Sequence, residues 1–101
     1  MAFTKICSTS DVPLGSIRQF EANGKVIAIA NVDGKFYAIN GECTHMGGPL
    51  GEGELEGTTV TCPWHMGQFD VTNGKVLAAP PARDVACFKV KVEGGHVLVD
   101  A

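Results

Sequence analysis

A chain of 101 residues with 13 Gly and 5 Pro has room for one small domain, spanning 1–101, and not for two. At 45% hydrophobic and 19% charged residues the composition is globular, and a net charge of −3 excludes a partner held by a broad basic surface, nucleic acid above all. No apolar run approaches the roughly 20 residues of a membrane helix, and the opening Met1-Ala2-Phe3-Thr4-Lys5-Ile6-Cys7 lacks the hydrophobic stretch of a secretory leader, so a soluble, cytoplasmic domain without membrane contact is expected.

In chain order, apolar or alternating stretches predict strands near 3–7, 16–22, 25–32, 35–39, 58–61, 68–71, 75–78, 86–93 and 96–100. Asp11 and Pro13 allow one helical turn at most between residues 8 and 15. Asn23-Gly24, Asp33-Gly34, Asn73-Gly74 and Gly94-Gly95 punctuate the strands as hairpin turns do. The ninth stretch illustrates the pattern: Phe88, Val90 and Val92 share one face, while Lys89 and Lys91 point the other way. No window of about 11 residues holds a 3.6-residue apolar stripe. An all-β, antiparallel fold follows. Two segments interrupt it, a long glycine-rich loop over 41–57 and a short one over 62–67, and long structured loops in small domains usually carry function.

Both loops contain a cysteine with a histidine close behind: Cys43-Thr44-His45 and Cys62-Pro63-Trp64-His65, with 16 residues between His45 and Cys62. Without a secretory leader, thiols chosen for metal are a better reading of these two than a disulfide framework. Cys7 and Cys87 have no such neighbour and read as small buried apolar residues, with a bridge between them the less favoured alternative. Two Cys and two His can close a tetrahedral zinc site, giving a structural or interaction module. Zinc fingers, however, normally draw two Cys from one knuckle and two His from a helix, and here each loop offers one thiolate and one imidazole. That split suits a two-iron, two-sulfide cluster with thiolates on one iron and imidazoles on the other.

At this point the chain resembles the Rieske family, whose pattern is Cys-x-His, a spacer, then Cys-x-x-His. The flanks match as well, in Met46-Gly47-Gly48-Pro49-Leu50 after the first pair and Met66-Gly67-Gln68-Phe69-Asp70 after the second. A third, proline-bearing loop, Ala79-Pro80-Pro81-Ala82, corresponds to one that packs beside the cluster in the family. The resemblance implies a Rieske-type antiparallel β-sandwich with a cluster-binding subdomain of two ligand loops. It implies one [2Fe–2S] cluster, with Cys43 and Cys62 on the inner iron and His45 and His65 on the outer. Neutral imidazoles in place of anionic thiolates ease electron acceptance and raise the potential. Gly47, Gly48 and Gly67 would let backbone N–H groups approach the sulfurs.

Departures from the respiratory branch of the family narrow the reading. That branch has an additional cysteine in each ligand loop, forming a disulfide, where this chain has Gly48 and Trp64, and Ser and Tyr hydroxyls near the sulfurs where this chain has Gly67 and Phe69. Fewer hydrogen bonds to sulfur stabilise the reduced state less, so a low potential is expected. The chain therefore looks like the soluble ferredoxins of bacterial ring-hydroxylating oxygenase systems. It would be an electron-transfer component and not itself an enzyme, because a complete oxygenase also needs a mononuclear iron, usually on two His and a carboxylate, and only His96 remains. The partners implied are an NAD(P)H-dependent flavin reductase and a terminal non-haem iron oxygenase. The small Rieske-like subunit of a nitrite reductase is the alternative within electron transfer.

A docking face is expected at the loop tip, with Met46, Pro49, Leu50, Trp64, Met66 and Pro81 as exposed apolar candidates, the alternative being that Leu50 and Trp64 merely shield the cluster. Between Lys35 and Lys75 there is no Lys or Arg, while Glu42, Glu52, Glu54, Glu56 and Asp70 all fall there; the rest of the chain is net positive by two. Such a run is either a solvated face or a steering patch. His96, after Gly94-Gly95, is expected to be exposed.

Overall fold

β3, Lys25–Val32, is the strand on which both halves of the molecule are built. Its run of buried residues alternates in size. Ile27 and Ile29 enter one core with Cys7, Val12, Ala38, Val97 and Val99, and Ala28 and Ala30 enter another with Ile17, Ile39, Leu50, Val60, Phe69, Val71 and Val85. A strand buried on both faces loses the apolar–polar alternation of a half-buried one, and the alanines allow a second layer to approach closely. The computed structural model describes residues 3–22, 24–43, 47–64, 66–78 and 83–100.

The first core is wrapped by six antiparallel strands in the order β1 (Phe3–Ser8), β10 (His96–Asp100), β9 (Cys87–Glu93), β4 (Lys35–Asn40), β3 and β2 (Ile17–Ala22). The sheet curls until its edge strands β1 and β2 approach one another. The turn after β3 puts Asp33 and Gly34 at φ 53° and 90°, and Gly94 and Gly95 between β9 and β10 lie at 57° and 78°, the left-handed pairs that a tight hairpin needs. Asn31, the buried polar side chain of β3, is satisfied: Nδ2 donates to Val12 O at 2.8 Å and Oδ1 accepts from Gly34 N–H at 2.9 Å.

The second layer has four short strands in sequence order, β5 (Glu54–Glu56), β6 (Thr59–Thr61), β7 (Gln68–Asp70) and β8 (Val76–Ala78). Leu55, Val60 and Phe69 stand opposite one another in register, and Val76 pairs next to Phe69. This apolar row packs on the alanine face of β3. The architecture is the antiparallel sandwich with a subdomain carrying the two loops.

All nine expected strands are present to within a residue or two, and the single helical turn is a 3-10 turn at Thr9–Asp11. The segment 41–57, expected as a long loop without a strand, contains a second 3-10 turn, Leu50–Glu52, and β5. Three residues, Glu-Leu-Glu, are too few to carry a legible period, and β5 forms because β6 supplies a partner.

Candidate metal centre

The first loop leaves β4 at Gly41 and returns at Leu50. Gly41 N–H donates to Val26 O and Leu50 N–H donates to Gly41 O, both at 2.8 Å, and Glu42 and Pro49 form an isolated antiparallel bridge between them. Within this narrow base Cys43 N–H donates to Gly48 O and Gly47 N–H donates to Cys43 O, both at 2.9 Å, with Gly47 at φ 73°. Leu50 is fully buried beneath. The two described ends of the loop are therefore tied to each other by backbone hydrogen bonds, and Cys43 is buried in the second core.

The second loop follows β6. Cys62 N–H donates to Gly67 O at 2.7 Å, closing it, and Trp64 N–H donates to Cys62 Sγ at 3.4 Å. Met66 has φ 62°, a left-handed conformation uncommon for a residue other than glycine. It is a local cost that the closed turn sustains.

The two loops meet at the sulfurs. Cys43 and Cys62 are both free, only 4% and 0% exposed, and neighbours in the same core. Gly48 is the keystone of the contact: a Cβ there would lie 2.6 Å from Cys62 Sγ and 3.1 Å from Cβ and Cγ of Trp64. Burial pushes the Cys62 thiol above its usual range and the adjacent Cys43 pushes it further, while the Trp64 N–H works in the opposite direction. A buried thiol with these neighbours, as Cys62 is, resists ionisation until a cation joins it, at which point the thiolate becomes the stable form. Donor set and surroundings both fit a thiolate-ligated metal cluster.

His45 and His65 lie outside the described residues, as do Thr44, Met46 and the loop 79–82. Among the other apolar candidates Trp64 is 50% and Met66 67% exposed, and Pro49 is half-buried. Leu50 is a correction: it is a core residue that supports the loop from below, not part of its tip. Cys87 is a second correction. Cys7 is buried, but Cys87 is exposed on β9, in register with Ile39 on the opposite face of the sheet from Cys7; both are free, and no bridge joins them. His96 is a third, half-buried on β10 with its Nδ1 buried and without a hydrogen-bond partner among the described residues. One residue at the site carries no signal in the sequence: Gln19, mid-strand in β2, whose Nε2 donates to Gly41 O and whose Oε1 accepts from Gly51 N–H.

The model of the Rieske [2Fe-2S] domain family matches residues 2–89. The chain is similar, at 44% identity over 101 residues, to the biphenyl dioxygenase ferredoxin subunit of Pseudomonas sp. (strain KKS102), covering 99% of this chain and 93% of that protein. It is 42% identical to the ferredoxin component of biphenyl 2,3-dioxygenase from Rhodococcus jostii (strain RHA1), with 99% and 94% covered. Among solved structures, a chain of the complex of reduced oxygenase and oxidized ferredoxin in carbazole 1,9a-dioxygenase superposes with a TM-score of 0.89 at 36% identity, covering 96% of this chain and 91% of that one. The ferredoxin of Sphingomonas yanoikuyae B1 gives 0.92 at 29% identity, with 99% of each chain covered. The fold and the paired thiols define an iron–sulfur electron carrier. The chain belongs to the Rieske [2Fe-2S] domain family, and its cofactor is one Rieske-type [2Fe–2S] cluster.

Proposed function

We propose that this chain, as a single domain over 1–101, carries electrons one at a time from an NAD(P)H-dependent flavin reductase to a terminal non-haem iron oxygenase. Cys43 and Cys62 would hold one iron of the cluster and His45 and His65 the other. The observation that carries the ligand assignment is the pair of free, buried thiols held side by side by two interlocked loops. When bound, the cluster supplies one-electron exchange. The chain's own residues do the rest. Leu50, Val60 and Phe69, all fully buried, keep water from the thiolate side, and the Trp64 N–H favours negative charge on Cys62 Sγ. The half-exposed Trp64 and exposed Met66 give a partner an apolar surface one or two residues from a ligand.

The names of the relatives support the oxygenase system over the small subunit of a nitrite reductase. Membership of a [2Fe-2S] family sets aside the zinc module. Among the described residues no helix is long and apolar enough to cross a membrane, and a cytoplasmic location belongs to the same proposal. The test is a reconstituted chain of transfer. Reduced protein should reoxidise in a single exponential on mixing with a ring-hydroxylating oxygenase, and His45→Ala and His65→Ala should abolish this by losing the cluster. Full cluster content and transfer in both variants would refute the ligand assignment.

A further inference from the structure

Gln19 is on β2, an edge strand of the six-stranded sheet, and its register partner is Ala28, a residue of the core that contains both cysteines. Both ends of its amide are used. Nε2 donates to Gly41 O at 3.1 Å, and Oε1 accepts from Gly51 N–H at 2.6 Å. Gly41 and Gly51 flank the two feet of the loop that carries Cys43. The feet are tied to each other by the Leu50 N–H to Gly41 O bond, and Gln19 ties both to the strand behind them.

The glycines record how close this fit is. A Cβ on Gly41 would lie 2.6 Å from Val26 Cγ1 and 2.9 Å from Gln19 Oε1, and one on Gly51 would lie 2.5 Å from Gln19 Cα. Neither glycine has a positive φ, so it is the approach of the strand and its side chain, not a left-handed turn, that requires them. An amide suits the position because it offers a donor and an acceptor side by side. A carboxylate would set an acceptor against the Gly41 carbonyl, and Lys or Arg would set donors against the Gly51 N–H.

We propose that Gln19 is a positioning residue for the cluster: an amide clamp that fixes the spacing of the two feet of the first ligand loop, and so where Cys43 stands relative to Cys62. It acts through Gly41 and Gly51, and the inference rests on Cys43 being a cluster ligand.

The test uses the cluster-loaded protein, with two variants and a control. Gln19→Met keeps the length and removes both hydrogen bonds, while Gln19→Glu keeps the size and loses the donor. Ile29→Val, in the other core, lowers stability without touching the loop. Iron release to bathophenanthroline disulfonate should be faster in both Gln19 variants, roughly tenfold in Gln19→Met, which loses both hydrogen bonds, and less in Gln19→Glu, which loses one. The electron paramagnetic resonance spectrum of the reduced cluster should change in both. Ile29→Val should change the melting temperature alone. Wild-type release and spectrum in either Gln19 variant would overturn the clamp, as would faster release that Ile29→Val reproduces with the spectrum unmoved. If one variant yields no loaded protein, the other decides by the same readings. Wild-type protein without iron and sulfide would instead refute the parent assignment, which separates the two failures.

Discussion

A methyl group at position 48 has no space to occupy, because the Cys62 sulfur and the Trp64 side chain already fill it. Gly48→Ala should therefore force the two ligand loops apart, and purified protein should contain less than half the wild-type iron by metal analysis. Position 69 works through polarity instead. Phe69 is fully buried in the core that holds both cysteines, with no hydroxyl to offer a sulfur. The midpoint potential should lie near the low end of the Rieske range, roughly −150 mV, and voltammetry should place Phe69→Tyr and Gly67→Ser above wild type if their hydroxyls reach the sulfurs. A wild-type value near the positive end would contradict this account of the site's polarity. The other two cysteines differ by environment. Burial, assisted by the Asp11 charge, pushes the Cys7 thiol up to about 11, whereas Cys87 is exposed. The raised value means that the folded state holds the Cys7 proton more tightly than the unfolded chain does. Its contribution to stability is complete below about 9 and is lost as pH rises from there toward 11. Iodoacetamide at neutral pH should label Cys87 rapidly and Cys7 only on unfolding, as mass spectrometry of the digested protein would record. At this scale the two cysteines that the structure brings together are legible because Cys-x-His and Cys-x-x-His are local patterns. Gln19 is not legible, since a glutamine in a strand acquires its partners 22 and 32 residues away only through the fold.

The strands divide into two groups with different duties. Ile27 and Ile29 of β3 belong to a core made with β1, β4 and β10 that contains neither Cys43 nor Cys62, while Val60 and Phe69 of β6 and β7 belong to the core that contains both. Ile29→Val should cost about 0.5–1.5 kcal/mol in denaturant unfolding, the usual penalty for one buried methyl, with the visible spectrum of the cluster unchanged. Val60→Ala should cost more, on the order of 2 kcal/mol, and should also speed cluster loss, because the cavity opens beside Cys62. Equal spectral effects from the two would mean that the cores are not separable. The longer strands were readable from alternation and hairpin turns such as Asp33-Gly34. β5 was not, because its three residues obtain their conformation from pairing with β6, and Leu50 looked like a tip residue because its burial depends on the return path of the loop.

Across the whole molecule charge is unevenly divided. Glu42, Glu52, Glu54 and Glu56 are exposed in the half that carries the ligand loops, and a shallow cleft of about 230 Å³ bordered by Glu52 and Glu54 leads to Cys62 and Met66. Lys5 and Lys91 flank Leu98 in register across β1, β10 and β9 of the six-stranded sheet. A partner with a basic surface would be steered to the sulfur end, so Glu52→Lys and Glu54→Lys should each slow stopped-flow transfer to the oxygenase severalfold at low salt. High salt should erase the difference, and the potential should not move. Rates indifferent to both charge reversal and salt would leave Trp64 and Met66 as an apolar docking face. Beneath all of these expectations lies one claim, that two thiolates and two imidazoles of this chain hold a single [2Fe–2S] cluster. Iron and acid-labile sulfide, determined together on freshly purified protein, test it most directly. The account predicts two of each per chain, and one zinc with no sulfide would contradict it.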